Sequence, residues 1–263
     1  MANILCLETS ASLCSVGLYT PEKTYYLENQ KTLAHAEFLA PLIQQILDLA
    51  NLNANNLSSI AISGGPGSYT GLRIGCSTAK GLCYALNIPL IAIDTLQIIA
   101  EAAVQQNSDY DYYWPMIDAR RMEVYHTIFD KNLNPLQPTT NSIIDEAFLV
   151  NNEKLIIKNE ASVILSIAKN LNSSLQKTQW SKSFMSEEIE NLKSNILKSK
   201  IALCGDGATK SSESLNLPVI NAVANALAMS SLAVKKFETQ QFEDTAYYEP
   251  FYLKQANITE SKK

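Results

Sequence analysis

Apolar positions alternate over short runs at the start of the chain. Asn3 to Glu8 is a first strand candidate; after Thr9-Ser10-Ala11-Ser12 a second runs from Cys14 to Tyr19 and closes at Pro21. Thr24 to Glu28 makes a third, so the opening predicts an antiparallel meander with an acid, Glu8, at its first turn. The period becomes helical from His35 to Ala50, returns to strand for Ser58 to Ser63, is helical again for Gly71 to Leu86 and ends on a strand at Leu90 to Ile93. Such alternation predicts crossover units on a mixed sheet. Tyr112 to Asp118 then reads as a strand ending in an acid, Ala119-Arg120 as a turn, and Met122 to Phe129 as the return strand. The opening pattern recurs here, which suggests a duplicated α/β architecture in two lobes. Ile201 to Cys204 runs as a strand into Gly205-Asp206-Gly207, and Ala222 to Phe237 is expected as a helix. The expected division is 1–105 for the first lobe, 106–241 for the second and 242–263 for a C-terminal segment. The Asn-, Ser- and Lys-rich stretch 151–200 reads as an insertion into the second lobe.

Two of these helices carry more apolar surface than one sheet requires. Phe38, Leu39, Leu42, Ile43, Ile46, Leu47, Leu49 and Ala50 spread over about half of the first helix, whereas a stripe of about 100° suffices to cover a sheet. Pro41 is expected to start the main helix or kink it near its first turn. The Gly71 to Leu86 helix is apolar nearly all round, with Arg73, Ser77, Lys80 and Tyr84 as its polar stripe and small residues such as Gly75, Ala79 and Gly81 that permit close helix contact. Either these are core helices covered by their own chain, or they form a shared bundle with another subunit.

A chain of 263 residues with a net charge of −5 can bury a proper core, and its charge disfavours a broad electrostatic grip on nucleic acid. Cys6, Cys14, Cys76, Cys83 and Cys204 form no CxxC pair and fit buried thiols better than disulfides or zinc. The N-terminal run lacks a basic lead, and no window reaches the apolar length of a membrane helix, so a cytoplasmic protein without membrane contact is expected.

Between strand and helix lies Ser63-Gly64-Gly65-Pro66-Gly67-Ser68-Tyr69-Thr70-Gly71, where free backbone N–H groups could receive phosphate. It lacks both the Gly-Lys-Ser/Thr ending of a Walker A loop and a GxGxxG pattern, so a tight turn competes with a phosphate cradle. The longer string from Gly65 to Gly75, followed by Ala79-Lys80-Gly81-Leu82, closely resembles the signature of the TsaB/YeaZ family. Ile4 to Ser10 with Cys14-Ser15-Val16, Pro89 to Leu96, Asp118-Ala119-Arg120 with Glu123-Val124-Tyr125, and Pro250 to Lys254 resemble further parts of that family in order.

The resemblance implies an actin-like ATPase fold related to sugar kinases, with duplicated ribonuclease H-like mixed sheets, and a part in making threonylcarbamoyladenosine beside the tRNA anticodon. It implies TsaD and TsaE as partners, ATP and metal on those partner subunits rather than here, and tRNA contact only through the complex; whether the chain alone forms a homodimer is left open. Phe38, Leu39, Leu42, Ile43, Ile46, Arg73, Ser77, Ala79, Lys80 and Tyr84 are then expected at the partner interface. Glu8, Thr9, Ser10, Gly65, Gly67, Ser68, Asp118 and Arg120 would be a vestigial nucleotide site.

TsaD-like proteins carry a His-x-x-x-His metal pair just after the corresponding strand, and alignment puts Thr95 and Ile99 in those two positions. The chain's two histidines, His35 and His126, read as structural. Glu8 stands where aspartate is more common in the family, and Glu8→Ala is expected to matter little for association with TsaD. These features point to a non-catalytic scaffold or activator without catalytic or metal-binding residues of its own. The alternative is an active ATPase or small-molecule kinase of the same superfamily. A protease reading finds no base paired with Ser68, Cys6 or Cys76.

Overall fold

Strand β1 (Ile4–Glu8) is buried at every position because it lies in the middle of a five-stranded sheet with helices on both faces. The computed structural model describes residues 2–29, 31, 34–145, 148, 152, 200–215 and 217–254. The first sheet has the order β3-β2-β1-β4-β5, with β2 (Ser15–Tyr19) and β3 (Thr24–Glu28) antiparallel and β4 (Ser59–Ser63) and β5 (Leu90–Ile93) parallel. The second sheet repeats it. β6 (Tyr112–Asp118) takes the place of β1, with β7 (Glu123–His126) and β9 (Thr140–Ile143) antiparallel on one side and β10 (Ile201–Cys204) and β11 (Val219–Ile220) parallel on the other. The faint repeat in the sequence is thus a duplicated sheet topology, the two-lobed arrangement of actin-like folds.

The layers follow from which faces are apolar. Helices α1 (His35–Leu49) and α2 (Tyr69–Leu86) cover the outer face of the first sheet. Helix α3 (Thr95–Gln106) packs on β6 and β10 of the second sheet, and α5 (Ala226–Glu238) packs on β1, β2, β4 and β5 of the first. These two inner helices also pack on each other, so one continuous apolar cluster joins the lobes. Helix α4 (Ala208–Leu215) covers the far face of the second sheet.

Most strand expectations match to within a residue, and the departures have local causes. Helix α2 begins two residues early because Ser68 caps it, its Oγ accepting from Gly71 N at 3.2 Å. Helix α5 begins at Ala226 rather than Ala222 because Asn225 caps it through Ala228 N at 2.9 Å. Helix α1 runs through Pro41; the carbonyl of Glu37, which loses its donor there, sits on the exposed face. The return strand expected at Met122 to Phe129 breaks after His126, and β8 (Phe129–Asp130) crosses to pair with another part of β6. Helix α3 is absent from the sequence reading, which saw only a strand and turn; Asp94 caps it through Leu96 N and Gln97 N. The insertion expected at 151–200 lies outside the described residues apart from 152 and 200.

Both histidines are buried and bonded. His35 donates from Nε2 to the Ala11 carbonyl at 2.9 Å, and His126 Nδ1 accepts from Trp114 Nε1 at 3.1 Å while Nε2 meets Ser142 Oγ at 3.0 Å. Burial pushes the His126 imidazole down to about 4. Because the unfolded ring titrates near 6.5, the unfolded state takes up the proton first as pH falls. Stability supported by neutral His126 is complete above about pH 6.5 and is lost as pH falls toward about 4, by up to about 3 kcal/mol. Glu8 and Asp94, whose carboxyls burial pushes up, work in the opposite sense, so a difference measurement is needed. Urea midpoints at pH 7.5 and 5.0 should fall further for the parent chain than for His126→Gln.

Candidate functional site

Glu8 ends β1 and Asp118 ends β6, so the duplicated topology brings both hairpin acids to the carboxyl edges of their sheets, where α/β folds bind ligands. The two edges border one interlobe cavity, lined by Ser10, Ala11, Ser12, Thr95, Ile99, Ile117 and Asp206 among others. Its volume is about 50 Å³.

Each acid is held by its own chain through one oxygen, and Glu8 Oε2 is buried without a hydrogen-bond partner. Glu8 is wholly buried, and its Oε1 accepts from Ser10 N at 2.6 Å and Ser10 Oγ at 2.5 Å. Burial pushes this carboxyl up, against the pull of the Ser10 bonds. Replacing Glu8 by alanine would therefore leave the Ser10 N–H without its acceptor inside the first turn. Asp118 is exposed, and partial desolvation opposes its ionisation. The Lys210 ammonium, paired with Asp118 Oδ1, and the Arg120 N–H at 2.7 Å nevertheless hold it below the usual carboxylate range. Lys210 reaches across from α4, a partner with no local signal in the sequence.

The glycine loop is filled by its own chain. Gly65 has φ of +99°, and a Cβ there would lie 2.3 Å from the Phe251 carbonyl oxygen. A Cβ on Gly67 would lie 2.7 Å from Ser10 Cβ, and Ser68 N donates to the Ser10 carbonyl at 2.9 Å. Phe251 N donates to the Gly64 carbonyl at 2.7 Å, and the Tyr252 ring packs against Tyr69 with centroids 4.8 Å apart and planes tilted by 48°. The glycines thus let the β1–β2 turn, with Thr9 and Ser10, and the C-terminal segment approach α2 closely. Thr95 and Ile99 lie one turn apart on α3, both buried, and neither supplies the imidazole that the His-x-x-x-His pair of TsaD-like proteins would. Among the described residues no group of three His, Cys, Asp or Glu side chains could hold a metal ion.

The interface residues separate into two sets. Leu39, Leu42, Ile43, Ile46 and Ala79 are buried in the first-lobe core, so they offer no surface; the second neighbour that the broad apolar arc of α1 required is α2 of the same chain. Lys80 is held by its own chain, donating to the carbonyls of Ala246 and Tyr248. Arg73, Ser77 and Tyr84 are exposed, Tyr84 by 88%, and Phe38 is half-buried. With Gly81 and Ala85, the exposed residues form one stripe along α2 at three- and four-residue spacing. Arg73 stacks on Tyr69, 4.2 Å from the ring centre. All five cysteines are buried and unpaired, and among the described residues no helix is long and apolar enough to cross a membrane.

The family model described as "TsaD: tRNA N6-adenosine threonylcarbamoyltransferase" matches residues 29–262. A tRNA threonylcarbamoyladenosine biosynthesis protein TsaB of Haemophilus influenzae is 39% identical over 124 residues, covering 46% of this chain and 51% of that protein. The chain therefore spans about half the length of that relative. A protein of the same description from Buchnera aphidicola is 28% identical over 200 residues, covering 75% of this chain and 80% of its own. Among solved structures, YeaZ from Pseudomonas aeruginosa superposes with a TM-score of 0.69 at 21% identity, covering 96% of this chain and 100% of the other, a likeness of fold. A family match across nearly the whole chain, joined to the duplicated sheets and the glycine-loop string, leads to one conclusion: the chain belongs to the tRNA N6-adenosine threonylcarbamoyltransferase (TsaD) family, in which it is similar to TsaB proteins.

Proposed function

We propose that this chain takes part in tRNA threonylcarbamoyladenosine biosynthesis as a non-catalytic subunit that docks on and activates a TsaD enzyme. The observation that carries the reading is the closed site. Ligand pockets commonly enclose about 300–1,000 Å³, whereas the interlobe cavity here, lined by Ser10, Thr95, Ile99, Ile117 and Asp206 among others, is about 50 Å³; nearby, Glu8 is buried and Asp118 is paired with Lys210. A nucleotide does not fit there without parting the lobes, so ATP and metal belong to the partner subunits, TsaD and the ATPase TsaE. The docking surface is the exposed α2 stripe of Arg73, Ser77, Gly81, Tyr84 and Ala85, whose short side chains let a partner helix come close. The same stripe would serve a homodimer when no partner is present.

Size-exclusion chromatography with light scattering on the chain, a TsaD protein and their mixture tests this directly. A new species of the summed mass is expected, while the chain alone hydrolyses ATP no faster than buffer. Steady ATP turnover by the purified chain, or two proteins that elute unchanged, would overturn the reading.

A further inference from the structure

Three consecutive non-glycine residues, Arg120, Arg121 and Met122, have φ of 70°, 50° and 60°. Left-handed backbone is disfavoured for each of them by contact between Cβ and the carbonyl oxygen, and runs of it are unusual. All three side chains are exposed. The turn is closed from within by Ala119 N to the Glu123 carbonyl and Glu123 N to the Arg120 carbonyl, both at 3.0 Å. What this conformation presents outward is two adjacent guanidinium groups.

The composition sharpens that observation. Of the 21 basic residues only Arg73, Arg120 and Arg121 are arginines, so in a lysine-rich chain two of three guanidinium groups sit at one turn. Arg73 is stacked on Tyr69. The neighbouring acids are largely compensated: Asp118 pairs with Lys210 and Glu123 with Lys254, while Asp206 Oδ1 accepts from Asp118 N at 3.0 Å. Arg120, Arg121, Lys210 and Lys254 balance Asp118, Glu123, Asp206 and Asp145, which the β7–β9 register places opposite Arg121, so the tip is neutral overall, with both guanidinium groups exposed, on a chain whose net charge is −5. Arginine is the side chain suited to phosphate, since its planar fork can give two parallel hydrogen bonds to phosphate oxygens.

We infer that the Arg120–Arg121 turn is an RNA-backbone contact, through which this chain grips a phosphodiester of the tRNA held by the complex. The inference rests on the proposed role in tRNA modification and adds a binding site on this subunit. The ligand is a phosphate on a polymer outside the cleft, because the adjoining cavity is too small for a nucleotide and Lys210 already occupies Asp118.

The test is a salt series of fluorescence anisotropy titrations with a labelled anticodon-arm RNA hairpin, using the complex with a TsaD protein. Asparagine tolerates left-handed backbone, so Arg120→Asn with Arg121→Asn preserves the turn while removing both charges. The double variant is expected to bind about tenfold more weakly at low salt, with a log–log salt slope shallower by about 2. Arg120→Lys with Arg121→Lys should keep the slope but lose part of the affinity, and Lys235→Ala, an exposed change on α5, should leave both near the parent values. Unchanged affinity and slope in the double variant overturn the inference. So does ATP competing for the tip in the parent but not in the double variant, which would assign the arginines to a nucleotide. Chromatography of the same samples separates this outcome from failure of the docking proposal; if no complex forms, the chain alone should still show the slope difference, at weaker affinity.

Discussion

Gly71→Ala is expected to destabilise the chain by about 3 kcal/mol or more, although helix propensity alone predicts a gain of about 1 kcal/mol for the same change. Gly71 lies in the first turn of α2, and a Cβ there would stand 1.9 Å from the carbonyl oxygen of Thr9. That oxygen is backbone of the β1–β2 turn, which is anchored by Glu8, Ser10 and the His35 bond to Ala11, so it cannot swing aside as a side chain would. Gly81 on the same helix supplies the control. A Cβ there meets nothing within 4 Å, so Gly81→Ala should stabilise by up to about 1 kcal/mol. Urea unfolding of both variants reads the two signs. Equal midpoints for the two would mean that the turn and helix do not approach as described.

Leu42→Glu is expected to unfold the chain rather than merely to block association. The Leu42 side chain is buried between α1, α2 and the first sheet, so removing it costs about 2–5 kcal/mol and burying a carboxylate adds to that loss. Such a loss lowers the melting temperature by roughly 10 °C or more. Ala85→Glu, on the exposed stripe of α2, should change stability by no more than about 0.5 kcal/mol while abolishing association with TsaD. Circular dichroism melts run beside light scattering separate the two effects. A well-folded Leu42→Glu that fails to associate would return Leu42 to the interface, and an Ala85→Glu that still associates would remove α2 from it.

The contrast between Leu42 and Ala85 shows how far periodicity reaches. A run of apolar residues at helical spacing reports that a surface must be covered, not by what. The broad apolar arc of α1 and the nearly uniform apolarity of α2 were legible as a surplus, and two covers were possible. The folded chain uses each helix to cover the other, and the stripe of α2 from Arg73 to Ala85 stays exposed. Helix α3 escaped notice because Pro89 to Leu96 reads as strand and turn, and its alanine-rich continuation has no sharp polar face; both its sides are buried, against β6 and α5.

By itself, the sequence determined the strands of the opening meander, their repetition from Tyr112 onward, the family, and the two acids at equivalent turns. These depend on alternation, turn residues and strings of neighbouring positions, all local in the chain. Only the tertiary structure decided what became of those acids and of the glycine loop. Lys210 lies 92 positions from Asp118, and Phe251 closes on Gly64 from the far end of the chain, so no local pattern announces either contact. The chemistry of a site is set by which groups are brought within bonding distance and how much water is left around them, and both are properties of the folded chain rather than of any segment of it.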